Sequence, residues 1–153
     1  MNYVKGDLIK MFKDEHFDVL IHGCNCFCKM GKGFAEKLKS EYPEVYEVDC
    51  LTKKGDESKL GTYSVYHIRE TNQFIVNAYT QFHWLYNVYG KNEIIVDYDA
   101  VDKVFSNIKI DFADKKIGIP KIGAGLAKGD WLVIESIIDK HLYGIDCTCV
   151  LYE

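Results

Sequence analysis

Arginine is almost missing from this chain: Arg69 is the only one in 153 residues, and every other basic side chain is lysine. With a net charge of −4, general affinity for nucleic acid is not expected. No apolar run approaches the length that crosses a membrane, which excludes a spanning helix. The opening MNYVKGD has no apolar signal region, so a cytoplasmic location and no membrane partner are expected. Without a secretory signal, the six cysteines are expected to be reduced thiols rather than a disulfide framework. Cys24, Cys26 and Cys28 alternate with single residues, which is not the two-to-four-residue spacing of common zinc sites, and no His-x₃-His partner exists. No metal or other cofactor is therefore expected. Repeats, linkers and low-complexity segments are also missing, so residues 1–153 read as one domain. A domain of this length buries roughly two-thirds of its unfolded surface.

What is present is organised around residues 116–131. An apolar, β-branched run at 117–122 suits a buried strand, and it breaks into Gly123-Ala124-Gly125-Leu126-Ala127-Lys128-Gly129. Asp130 is a good N-cap for a helix whose apolar positions follow at 132–134, 137 and 138. Glycines let successive backbone N–H groups converge on an anion, and a helix start adds partial positive charge. Lys121 and Lys128 bracket the turn. The glycine spacing fits neither the G-x-x-x-x-G-K-[ST] loop nor G-x-G-x-x-G. A phosphate loop of another kind and a plain strand-to-helix connection both remain open on these residues alone.

The same design occurs once more. The strand 17–22 empties into residues 23–33, rich in glycine, before a helix over 34–40. A short strand at 3–4 precedes Lys5-Gly6-Asp7, and a second helix covers 45–51, ending near Gly55. Strands are expected at 62–68 and 74–79, joined by a turn at 70–72. Residues 80–92 are aromatic and irregular, fitting either a lid or partner surface or a cover for the domain's own core. Helical spacing over 96–110 and a closing strand at 145–152, with Cys147 and Cys149 facing the core, complete the chain. Strands alternating with helices predict a three-layer α/β/α sandwich with a mixed central sheet. Ligands of such sheets lie beyond the carboxyl ends of strands, where both glycine-rich loops fall. Two loops suit a diphosphate.

With both loops in view, the chain resembles the macro domain family, the ADP-ribose-binding modules. Tyr3-Val4-Lys5-Gly6-Asp7-Leu8, Ile21-His22-Gly23-Cys24-Asn25, Met30-Gly31-Lys32-Gly33-Phe34-Ala35, Ile122-Gly123-Ala124-Gly125-Leu126, Trp131 and the final Val150-Leu151-Tyr152 carry the likeness almost end to end. The resemblance implies that Asp7 accepts from the adenine amino group, Leu8 supplies a backbone contact and Tyr152 packs on the ring. It implies that Ile122, Gly123, Ala124, Gly125, Leu126 and Ala127 wrap the diphosphate. Asn25 would hold the distal ribose, with Met30, Gly31, Lys32, Gly33 and Phe34 closing over it. On the residues alone, Asp7 reads equally as a turn residue and Asn25 as a loop-capping amide.

The likeness is greatest to the branch with terminal ADP-ribose protein glycohydrolase and the yeast-type ADP-ribose 1″-phosphate phosphatase. The glycohydrolase's lysine and aspartate fall at Gln81 and Ala127 here, and neither can form a Schiff base or accept a proton at neutral pH. The implied activity is therefore the phosphatase, converting ADP-ribose 1″-phosphate to ADP-ribose and phosphate without a metal. Non-catalytic ADP-ribose reading, and removal of ADP-ribose from modified macromolecules, are the alternatives. Histidine titrates near neutral pH, so His22 and His83 are the acid–base candidates, with Asn25 completing the catalytic set. His22, at a strand end, fits a buried structural role equally.

Overall fold

The computed structural model describes residues 1–84 and 93–153. Six strands form one sheet in the order β1-β6-β5-β2-β4-β3. They are β1 (Asn2–Gly6), β2 (Val19–Cys24), β3 (Tyr63–Ile68), β4 (Gln73–Tyr79), β5 (Ile117–Ile119) and β6 (Cys147–Tyr152). All neighbours pair in parallel except β3 with β4, so the sheet is mixed, as expected. Five carboxyl ends therefore share one edge.

Period-two alternation sorts the two central strands onto two cores. Val19 and Ile21 of β2, with Val76 and Ala78 of β4, face one side. There they meet Val101, Val104, Phe105 and Ile108 of α4 (Tyr98–Asp111) and Ile134, Ile138 and Leu142 of α5 (Trp131–Leu142). Leu20, Ile75 and Tyr79 face the other side. They meet Leu8, Ile9 and Phe12 of α1 (Leu8–Lys13), Leu38 of α2 (Gly33–Glu41) and Val45 of α3 (Pro43–Cys50). The result is helix, sheet, helix. Cys147 and Cys149 are buried in the first core, and all six cysteines are free thiols. No helix among the described residues is long and apolar enough to cross a membrane.

The helix ends follow the sequence. Asp7, Asp97 and Asp130 each accept a backbone N–H from the first turn of the helix they precede. Pro43 starts α3, where its missing N–H costs no hydrogen bond.

Three of the differences from expectation have plain physical causes. Helix α1 is absent from the sequence reading, because six residues carry too little periodicity to stand out. The strand expected over 117–122 stops at Ile119, since Pro120 has no N–H for the ladder. The helix expected from residue 96 starts at Tyr98, because Val96 forms an isolated bridge with Gln81 and Asp97 is the cap.

Candidate functional site

Between the ends of β1 and β6, the start of α1 and the flank of α2 lies a cleft of about 990 Å³. Asp7, Leu8, Phe34, Lys37, Lys121 and Tyr152 are among its walls. Asp7 stands there because it caps α1, where its Oδ1 accepts from the Lys10 N–H at 3.1 Å. Tyr152 ends β6 and is 74% exposed, an open aromatic face inside a cleft. The Lys37 ammonium rests over that ring, 4.3 Å from its centroid.

From this cleft two loops run along the sheet edge. The first, residues 24–33, delivers Met30, Gly31 and Lys32 to the start of α2. Met30 is buried, and no side chain caps α2 at Lys32. An uncapped nine-residue helix presents free N–H groups and the positive end of its dipole. Gly33, with φ of 63°, brings the two loops together: a Cβ there would lie 3.3 Å from Cδ1 of Leu126.

The second loop, residues 120–129, is folded by its own backbone. The Gly129 N–H donates to the Gly123 carbonyl at 2.7 Å, and the Lys128 N–H donates to the Gly125 carbonyl at 3.0 Å. The Ala127 carbonyl accepts from Ile95 and Val96. Ile122 and Ala127 are buried, anchoring both ends. Ala124 donates to the Lys121 carbonyl. The N–H groups of Gly125, Leu126 and Ala127 donate to no acceptor among the described residues. Three consecutive unspent donors beside a second helix start are what an anion needs.

The glycines divide by function. A Cβ on Gly123 or Gly129 would meet Val96 at 2.6 and 2.5 Å, so these two let the loop lie on the core. A Cβ on Gly31 or Gly125 would meet nothing within 4 Å. Those two face open space.

No family model matches the chain. It is 35% identical, over its whole length and 97% of the other, to an uncharacterized 17.5 kDa protein of the tk-vs intergenic region of Enterobacteria phage T4. It is 26% identical to the ADP-ribose 1″-phosphate phosphatase of Meyerozyma guilliermondii, over 92% of this chain and 93% of that one. The macrodomain of Thermus aquaticus DarG superposes with a TM-score of 0.73 at 20% identity, over 99% of this chain and 97% of that one. The chain has the macrodomain fold.

On this fold the catalytic candidates are placed unevenly. His22 is not in the cleft. Its side chain is 1% exposed on the α2–α3 face of the sheet, and its Nε2 lies 2.6 Å from Oδ1 of Asn77. Since the Asn77 amide nitrogen donates to the Val45 carbonyl and to Ser64, the Asn77 oxygen is the acceptor and His22 the donor. Burial, only partly offset by that bond, lowers the His22 pKa to about 4. The neutral imidazole is turned toward Asn77, and its ring lies 6.0 Å, centroid to centroid, from Phe34 of the cleft wall.

The network continues inward, where Ser64 meets the Tyr79 hydroxyl, which donates to Asp49 at 2.7 Å. Burial raises the Asp49 pKa, while Tyr79 and the nearby Lys59 oppose the rise. Lys59, itself buried, donates to the Cys26 carbonyl at 3.1 Å and so holds the first loop from behind.

Asn25 spends its amide on its own loop. Its Oδ1 accepts from the N–H groups of Phe27 and Lys29, and its Nδ2 donates to the Lys29 carbonyl at 2.8 Å. It shapes the turn that carries Met30 to Phe34. His83 follows the end of β4, away from the cleft, where its carbonyl accepts from Gln81 at 2.9 Å. Phe82 and Trp84 pack on Phe27 of the first loop, at 4.9 and 5.2 Å between centroids, so this part of the aromatic segment covers the protein itself. The rest of that segment, 85–92, lies outside the described residues. Sequence reasoning missed Lys37, Lys59 and the Asn77–Tyr79–Asp49 network. Only the alternation of β4, with a polar residue at 77 on an otherwise apolar strand, could have signalled the last.

Proposed function

We propose that the protein binds ADP-ribose along this edge and hydrolyses ADP-ribose 1″-phosphate to ADP-ribose and phosphate. The observation that carries the reading is the run of unspent N–H groups at Gly125, Leu126 and Ala127 beside the uncapped start of α2. A diphosphate placed there meets donors that need no reorganisation, and the same donors stabilise charge on a transferring phosphoryl group. Adenine fits the cleft: Asp7 accepts from its amino group, the Leu8 backbone meets the ring edge, and Tyr152 stacks on its face. Gly31, Lys32, Gly33 and Phe34 close over the distal ribose, held in position by Asn25 behind them. His83, which follows Phe82 beside the first loop rather than in the adenine cleft, is the acid–base candidate on the distal side of this reading. Support for the activity comes from the fungal phosphatase, alike over nearly the whole of both chains.

The test is phosphate release from ADP-ribose 1″-phosphate in the presence of chelator. Gly125→Glu is the control, because a side chain there enters open space and brings a negative charge to the anion site. Release by the wild-type protein and none by the variant is expected. A second reading, ADP-ribose binding without turnover, is favoured by the burial of His22 and by Gln81 and Ala127 standing where the glycohydrolase has lysine and aspartate. Saturable ADP-ribose binding with no phosphate release would establish it.

A further inference from the structure

At the edge the two loops share, one buried polar group is left without a partner among the described residues. Thr80 directly follows β4, and its Oγ1 is fully buried with no hydrogen-bond partner among the described residues. Its backbone is satisfied on both sides: the N–H donates to the carbonyls of Ala78 and Cys24, and the carbonyl accepts from Asp97. The hydroxyl alone is left over. A buried hydroxyl without a partner is costly, so a native fold that keeps one has a use for it.

Its surroundings say where that use lies. A Cβ on Gly23 would come within 2.8 Å of Thr80 Oγ1 and within 3.3 Å of Cγ2 of Ile122. The hydroxyl thus sits where the first loop leaves β2 and the second leaves β5, under the one position of β2 that has no side chain. Gly23 is itself only half buried, so the missing side chain is the thin part of the wall. In sheet order, β4 lies three strands from β6, which carries Tyr152. At about 4.8 Å per strand the separation is roughly 14 Å, the scale of a base-to-distal-ribose span.

Resting on the reading of the cleft as an ADP-ribose site, we propose that Thr80 is a ligand-contacting residue. Its hydroxyl bonds an oxygen of the distal ribose or its substituent, reached past Gly23. Adenine at Tyr152 and the distal sugar at Thr80 then mark the two ends of one bound molecule. The unsatisfied hydroxyl of the free protein becomes satisfied in the complex, and that difference favours binding.

Titration calorimetry with ADP-ribose and with AMP, which reaches only the Tyr152 end, tests this together with thermal unfolding of the free proteins. Thr80→Val keeps the shape and deletes the hydroxyl. It is expected to bind ADP-ribose about ten-fold more weakly, to bind AMP as the wild type does, and to unfold about 2–4 °C higher. Thr80→Ser keeps the hydroxyl and is expected to bind ADP-ribose within about two-fold of wild type. Gly23→Ala closes the gap and is expected to weaken ADP-ribose and not AMP. Should the valine variant not fold, the contrast between the serine and Gly23→Ala variants decides. Unchanged ADP-ribose affinity in both Thr80→Val and Gly23→Ala, or equal losses for AMP and ADP-ribose, would overturn the assignment. Absence of ADP-ribose binding by the wild type would instead overturn the reading of the cleft, and this assignment with it.

Discussion

The two glycine-rich loops reach the same edge by opposite means. Residues 24–33 are held by side chains: the Asn25 amide folds the turn, Lys59 ties down the Cys26 carbonyl, and Cys28 Sγ donates to the Asp49 carbonyl. Residues 120–129 are held by backbone: the Gly129–Gly123 hydrogen bond closes the loop, and the absence of two side chains lets it lie on Val96. A loop anchored by polar side chains commits those side chains to structure. A loop anchored by backbone and packing keeps its remaining N–H groups for a ligand. The difference explains why Asn25 and His22, the most chemically suggestive residues of the first motif, face inward, while the plain Gly125-Leu126-Ala127 stretch faces out.

Titration breaks the comparison most strongly. The folded pKa of His22, about 4, lies below its unfolded value of 6.5. The unfolded chain therefore binds the extra proton between these values. Stability is full above about pH 6.5 and is lost as pH falls toward 4, by on the order of 3 kcal/mol. Asp49 runs the other way: its raised folded pKa makes its burial a cost at neutral pH that protonation relieves. Urea unfolding from pH 7 to 4 should show the His22 loss as the larger effect, and His22→Gln should flatten the slope between 6.5 and 4. An unchanged slope in the variant would remove His22 from the account. Gly123→Ala acts by packing against Val96 rather than by titration, so it should shift stability equally at both ends of that range.

Glycine substitution comes next. Gly123→Ala adds a Cβ 2.6 Å from Val96 at a φ of 73°, and should cost about 2–4 kcal/mol by urea unfolding. Gly125→Ala, in open space, should change stability by no more than about 1 kcal/mol, in the stabilising direction. Similar losses for both would mean that the loop is not laid on Val96 as described. A smaller loss than that of Gly123→Ala is expected at the first loop's turn. Asn25→Ala removes three bonds, two accepted and one donated, and should cost about 1–2 kcal/mol. Asn25→Asp, which keeps the two accepted bonds, should recover part of that. A stable Asn25→Ala protein with lost ADP-ribose affinity would instead return Asn25 to the ligand.

Much of the architecture was legible in the chain. Strands announced themselves by β-branched runs, α4 and α5 by apolar spacing, and the second loop by its glycines and the Asp130 cap. Tertiary partners were not legible. The role of Gly123 and Gly129 depends on Val96, which is distant in sequence and reaches the loop through the fold. The fate of His22 depends on Asn77, 55 residues away, whose oxygen turns a strand-end histidine into a buried donor. Period-two alternation carried a hint, because Ile21 faces one core and its neighbour must face the other. Thr80 gave no signal, since an unsatisfied hydroxyl exists only once everything around it is placed.

The measurement that tests the central claim most directly is calorimetric titration of ADP-ribose into the wild-type protein and into Gly125→Glu, with thermal unfolding of each. The account predicts one saturable site in the wild type, and loss of that site in a variant whose Tm is unchanged. No binding by the wild type, or undiminished binding by a folded Gly125→Glu protein, would contradict it.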